Sequence, residues 1–182
     1  MVARLPGTEG TGEVAVRIRA RRGGALRPLD AVLLHSPPVA DGWNALLGAI
    51  RQRMSLPAAI RELVILRIAV VNGVRYEWVA HEADARRAGL GDAELAAIAV
   101  ESIEDISDGA AVLDGRQRRV LAYTDAMTRQ VHVSDEIFDS LRPDFSAAEL
   151  VELTTTIAAY NMVSRFLAAL QVDLPEPVAA GA

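Results

Sequence analysis

Glu62, Glu77 and His81 are proton-exchanging side chains within one short stretch, and Arg67 places a permanent cation among them. Glu77 and His81 are four residues apart, so on a helix they share a face. Asn72-Gly73 divides the stretch and reads as a helix breaker, with Gly73 suited to a left-handed cap. Should the two halves fold back there as an antiparallel helical hairpin, depth from the turn follows from a rise of ~1.5 Å per residue. Glu62 then lies ~16 Å from the turn and His81 ~13 Å, while Arg67 lies ~8 Å and Glu77 ~7 Å. Two rungs are expected, Glu62 with His81 and Arg67 with Glu77.

A carboxylate beside an imidazole raises its proton affinity and selects its tautomer. Such a pair gives or takes a proton near neutral pH, which is the requirement of general acid–base catalysis. The planar fork of Arg67 matches the two oxygens of a substrate carboxylate. Buried hairpins also contain Glu–His and Arg–Glu pairs that do no more than satisfy each other. A metal site built from Glu62, Glu77 and His81 is a further alternative, since carboxylate and imidazole suit several divalent ions. Tyr76 and Trp78, with Trp43, are candidates to line a pocket, although aromatic residues at helical spacing also serve cores and interfaces. His35 reads as a helix-end cap and His132 as a solvated loop residue. Tyr160-Asn161 interrupt an apolar helix, either bonding locally or pointing into the site.

The positioning elements read as helices throughout. Pro57 to Val71 is nearly continuous in apolar residues, broken by Arg61, Glu62 and Arg67, so it is expected to be buried on most sides. Ser55 reads as its N-cap, with Pro57 in the first turn. Arg75 to Ala88 resumes the helical pattern until Gly89, and a short helix follows Gly91-Asp92. Val39 to Met54 has helical apolar spacing after the break at Ser36-Pro37-Pro38. Ala110 to Gly115 is expected as a loop, followed by helices over Arg116 to Gln130, Ser134 to Leu141, and from Ser146 to about Leu170. Ser134 is the expected cap of the second, and Ser146 with Glu149 has the capping-box pattern for the third. Glu13 to Ile18 comes nearest to strand-like alternation. The class is all-α.

Composition narrows the chemistry. The chain has 182 residues, 51% of them hydrophobic but only 4% aromatic, enough for one domain with an aliphatic core. It has no cysteine, which removes disulfide exchange, thiol peroxidase chemistry and thiolate metal sites. All 19 basic residues are arginine, which removes Schiff-base catalysis. The net charge of −5, with no basic run interleaved with aromatics, argues against nucleic acid as a partner. No window reaches the ~18 apolar residues of a membrane span, and the arginine-bearing N-terminus has no apolar signal core. The expected organisation is a flexible basic tail over 1–24, a helical domain over 25–172 and a frayed tail over 173–182, in a cytoplasmic protein.

Arg61-Glu62-Leu63-Val64-Ile65-Leu66-Arg67, then Tyr76-Glu77-Trp78, His81, Ala85 and Gly89-Leu90, resemble the core motif of the carboxymuconolactone decarboxylase and alkylhydroperoxidase-D-like proteins. The resemblance runs from about Pro37 to Ala99 and weakens through Leu170. It implies an alkylhydroperoxidase-D-like helical bundle, assembled as a homo-oligomer (trimer or hexamer) with the site near subunit contacts. The peroxidase branch uses a glutamate, two cysteines three apart and a histidine four residues after the second. On this chain those positions are Glu62, Val74, Glu77 and His81, so the thiols are gone. The decarboxylase branch also lacks them, and it removes carbon dioxide from 4-carboxymuconolactone in aromatic degradation. By that likeness Arg67 holds a carboxylate, with Tyr76 and Trp78 lining the substrate space. His81, held by Glu62, then protonates the dienolate, and Glu77 shapes the polar wall. The expected function is a cofactor-independent lyase or isomerase on a small carboxylated lactone or oxo-acid. The alternative is a non-catalytic oligomeric binding protein of the same fold.

Overall fold

The structure, a computed structural model, describes residues 3–100 and 112–172. Among these residues every regular element is an α-helix: α1 (Glu13–Arg21), α2 (Pro28–Leu33), α3 (Pro37–Gln52), α4 (Ala58–Val71), α5 (Arg75–Arg87), α6 (Asp92–Ile98), α7 (Gly115–Arg129), α8 (Asp135–Leu141) and α9 (Ala147–Leu170). The chain divides into two compact units. One is Ile50–Arg165, and the other is Met1–Ala49 together with the residues from Phe166. The expected tail over 173–182, and residues 110 and 111 of the expected loop, lie outside the described residues.

The unit Ile50–Arg165 is organised around α4. Leu63, Val64, Ile65, Leu66 and Ile68 are all 0% exposed, so this helix has no solvent face over its middle turns. Burying each such side chain contributes roughly 1.5–3 kcal/mol. α4 packs against both α5 and α7. The α4–α5 turn closes where Gly73 takes φ +65°, a left-handed conformation that a β-carbon would strain. Ser134 accepts from the Ile137 N–H at 3.3 Å to cap α8. Ser146 and Glu149 form the reciprocal box at the start of α9. Ser55 departs from expectation: Pro57 occupies the N-cap position of α4, and Ser55 Oγ instead donates to Glu152 at 2.9 Å.

In the other unit the arginine-bearing segment read as a flexible tail contains a helix, which corrects that expectation. Ala15 and Ile18, three apart on α1, are 0% and 2% exposed. Just beyond it Arg22 Nε donates to buried Asp30 at 2.8 Å. The alternation Val14, Val16, Ile18 hid this helix, because the buried face uses Ala15 rather than its larger neighbours. His35, an expected cap, is exposed and meets the Pro6 carbonyl through Nε2 at 2.7 Å. No helix among the described residues is long and apolar enough to cross a membrane.

Candidate active site

The hairpin brings Glu62 and His81 together. His81 Nδ1 lies 2.8 Å from Glu62 Oε2, and both residues are buried. Arg61 Nε donates to the other oxygen, Glu62 Oε1, at 3.0 Å. On the far side of the imidazole, Nε2 stands 3.3 Å from the Tyr160 hydroxyl of α9. The two rings meet edge to face, with centroids 5.2 Å apart and an interplanar angle of 84°. Arg51, in the last turn of α3, donates from Nε to the same phenol oxygen at 3.0 Å.

The partners determine the tautomer. A carboxylate accepts only, so Nδ1 carries the proton and Nε2 is left as the acceptor from Tyr160. Burial pushes Glu62 up, but His81 and Arg61 outweigh it and hold the carboxyl below its ordinary value. Burial pushes His81 down, against the pull of Glu62, and the Arg51 charge adds to the depression. The Tyr160 phenol is pushed up by burial against the opposing charge of Arg51. The result is an ionised Glu62, a neutral imidazole and an intact phenol in one hydrogen-bonded row.

This row lies at a cleft of about 370 Å³ whose lining includes Arg51, Arg61, Glu62, His81, Asp84 and Arg87. Three arginines therefore line a space that the acid–base pair also borders. Arg87 is paired with Asp84, one turn back on α5.

Arg67 does not join this site or meet Glu77, which corrects the second expected rung and the carboxylate-holding role. It is 0% exposed and grips Asp125 of α7 with two bonds, Nε to Oδ1 at 2.7 Å and Nη2 to Oδ2 at 2.6 Å. Nη1 donates to the Ile98 carbonyl at 3.1 Å and to that of Val100. Level depth was the wrong test on its own, since residues five apart on a helix are rotated by ~140°. Glu62 faces α5, and Arg67 faces α6 and α7.

Glu77 shares the His81 face but turns to Ser164, whose hydroxyl donates to Oε2. Its Oε1 is buried with no hydrogen-bond partner. Burial pushes this carboxyl up to about 8, against smaller opposing effects of the Ser164 hydrogen bond and the Arg51 charge. Glu77 is a neutral acid at pH 7, outside the lining of the cleft. Tyr76 is buried elsewhere on α5, and Trp78 lines a separate shallow groove with Val70, Val74 and Ala99. Neither lines the His81 cleft. Among the described residues no three His, Asp or Glu side chains are placed to hold a metal ion.

Sequence reading missed Arg51, Ser164 and Asp125, and left Tyr160 with two alternatives. Tyr160 and Ser164 are four apart, so they share the α9 face that meets Glu77 and His81. That spacing was a usable signal. Arg51 and Asp125 carried none, for their partners lie 109 and 58 positions away in the chain.

The family profile described as the carboxymuconolactone decarboxylase family matches residues 37–126, a span that includes Glu62, Glu77 and His81. Over that span the chain is similar to the carboxymuconolactone decarboxylase family. No curated protein matches it. Among solved structures, an alkylhydroperoxidase AhpD-core protein of Ralstonia eutropha superposes with a TM-score of 0.80 at 19% identity, covering 97% of this chain and 94% of that one. A putative antioxidant defence protein AhpD of Agrobacterium tumefaciens gives 0.68 at 25% identity, over 79% of this chain and 94% of its own. A cysteine-to-alanine variant of the debrominase Bmp8, in complex with 2,3,4-tribromopyrrole, gives 0.69 at 19%, over 87% and 83%. The chain has the fold of these proteins and no cysteine.

Proposed function

We propose that this protein is a cofactor-independent acid–base lyase or isomerase acting on a small carboxylated lactone or oxo-acid. One observation carries the reading: an imidazole sits between an ionised carboxylate at 2.8 Å and a phenol at 3.3 Å, on the wall of a cleft lined by three arginines. The arginines supply the anion-receiving role that Arg67 does not fill. Chemistry through a thiol of the chain itself is excluded by composition.

In the decarboxylating form of the reaction, the bond between the ring carbon and the carboxylate breaks and carbon dioxide leaves. The electron pair passes into the conjugated lactone as a dienolate. Protonated His81 gives its Nε2 proton to carbon and recovers one from solvent. Glu62 stabilises the imidazolium beforehand and keeps the ring oriented throughout. In an isomerisation the same nitrogen first takes the proton and then returns it two carbons away along the conjugated system, as the double bond shifts.

The test is turnover of a panel of carboxylated lactones and oxo-acids, 4-carboxymuconolactone included, followed by ultraviolet absorbance and carbon dioxide release. Wild type is expected to turn over at least one member, and His81→Ala to lose that activity. Equal turnover by the variant removes the acid–base role.

A further inference from the structure

A decarboxylase that protonates a dienolate needs an acid, yet burial pushes the proton affinity of His81 down. The surroundings of Arg51 answer this. Arg51 lines the same cleft as His81. Its Nε reaches the Tyr160 hydroxyl at 3.0 Å, and its Cζ lies 5.9 Å from the centre of the Tyr160 ring. Tyr160 is 0% exposed, and its hydroxyl stands 3.3 Å from His81 Nε2. One buried phenol thus joins a cation at the cleft to the reactive nitrogen.

We propose that Arg51 is the docking residue for the substrate carboxylate, and that Tyr160 couples this docking to His81 so that the imidazole becomes the acid when the anion arrives. The inference rests on the acid–base reading above and specifies which arginine selects the substrate. An anion at Arg51 cancels the positive field acting on His81, and so removes one of the two influences that hold its proton affinity down. If the guanidinium turns toward the anion, the phenol oxygen loses its donor and becomes a better acceptor for an Nε2 proton. The other groups around the ring do not change sign in this event. They are Glu62 backed by Arg61 on α4, Asp84 and the neutral Glu77 on α5, and the Tyr160 phenol on α9. Specificity follows: a neutral analogue that fills the cleft leaves His81 without its proton.

The experiment is a pH titration of the His81 ring by nitrogen-15 NMR on the full chain, with the His81→Gln spectrum identifying its signals among three histidines. Maleate serves as the anionic probe. In wild type, saturating maleate is expected to move the His81 midpoint to higher pH. Arg51→Gln is expected to move it upward without maleate and to abolish the maleate response, while Arg51→Lys, which keeps the charge, retains the response. A midpoint in Arg51→Gln equal to that of wild type overturns the proposal. If that variant does not fold, a wild-type midpoint unmoved by maleate overturns it equally. The two readings fail separately: a maleate response without turnover on any substrate sinks the enzymatic reading alone. Turnover that depends on His81, with no such response, sinks the coupling alone.

Discussion

Glu62 and Arg67 stand five residues apart on the same buried helix, and the structure puts them to opposite uses. Arg67 is saturated: its nitrogens grip Asp125 and backbone carbonyls, and none of it is exposed. Glu62 is held by Arg61 and His81, and this group borders open space. A charged residue in an apolar helix therefore signals a partner, and nothing more. It becomes a candidate for chemistry when the partner is titratable near neutral pH and a cleft reaches the pair. Glu77 lies between the two cases, sharing the His81 face while closed off from the cleft.

The largest effect expected is at Glu77. Its folded value of about 8 lies above the ordinary 4.5, so the native state keeps a proton that the unfolded chain releases. Its contribution is complete below pH 4.5 and is lost as pH rises toward 8. At about 1.4 kcal/mol for each pH unit between the two values, the whole span is worth up to about 5 kcal/mol. Urea denaturation at pH 5 and pH 8 should show wild type losing stability across this window. Glu77→Gln, an isostere of the neutral acid, should lose markedly less, and a parallel decline in both proteins would place the proton elsewhere.

Asp125→Ala tests the saturated side. It strands the Arg67 guanidinium in a dry interior, at a cost of about 3–5 kcal/mol. The same denaturation experiment should register that loss, and an unchanged midpoint would show that the fork carries little. His81→Ala tests the open side, where the loss should appear in rate: about 100-fold in kcat/KM, or about 2.7 kcal/mol, for whichever panel substrate wild type converts. If instead that variant keeps its rate and loses several kcal/mol of stability, the open pair is no different in kind from the closed one. Smallest is Ser146→Ala, which removes one cap of α9 that bonds to neither pair and should cost about 1 kcal/mol in thermal unfolding, with turnover unchanged.

The sequence by itself determined the helical class, the hairpin at Gly73 and the meeting of Glu62 with His81. These follow from local rules: apolar periodicity, breakers and caps, and the rise per residue that levels two groups on adjacent helices. It also settled the absence of thiol chemistry, because composition needs no coordinates. Tertiary structure decided the rest. Arg67 pairs with a residue 58 positions away, and His81 receives Tyr160 from 79 positions away, while Arg51 reaches the same phenol across 109. No local pattern encodes such distant partners. α1 was missed for a related reason: the burial of Ala15 with Ile18 is not legible where Ala15 stands between its larger neighbours Val14 and Val16. Depth along a helix can be read from residue numbers, but which way a side chain faces, and what waits for it there, depends on how the other helices pack.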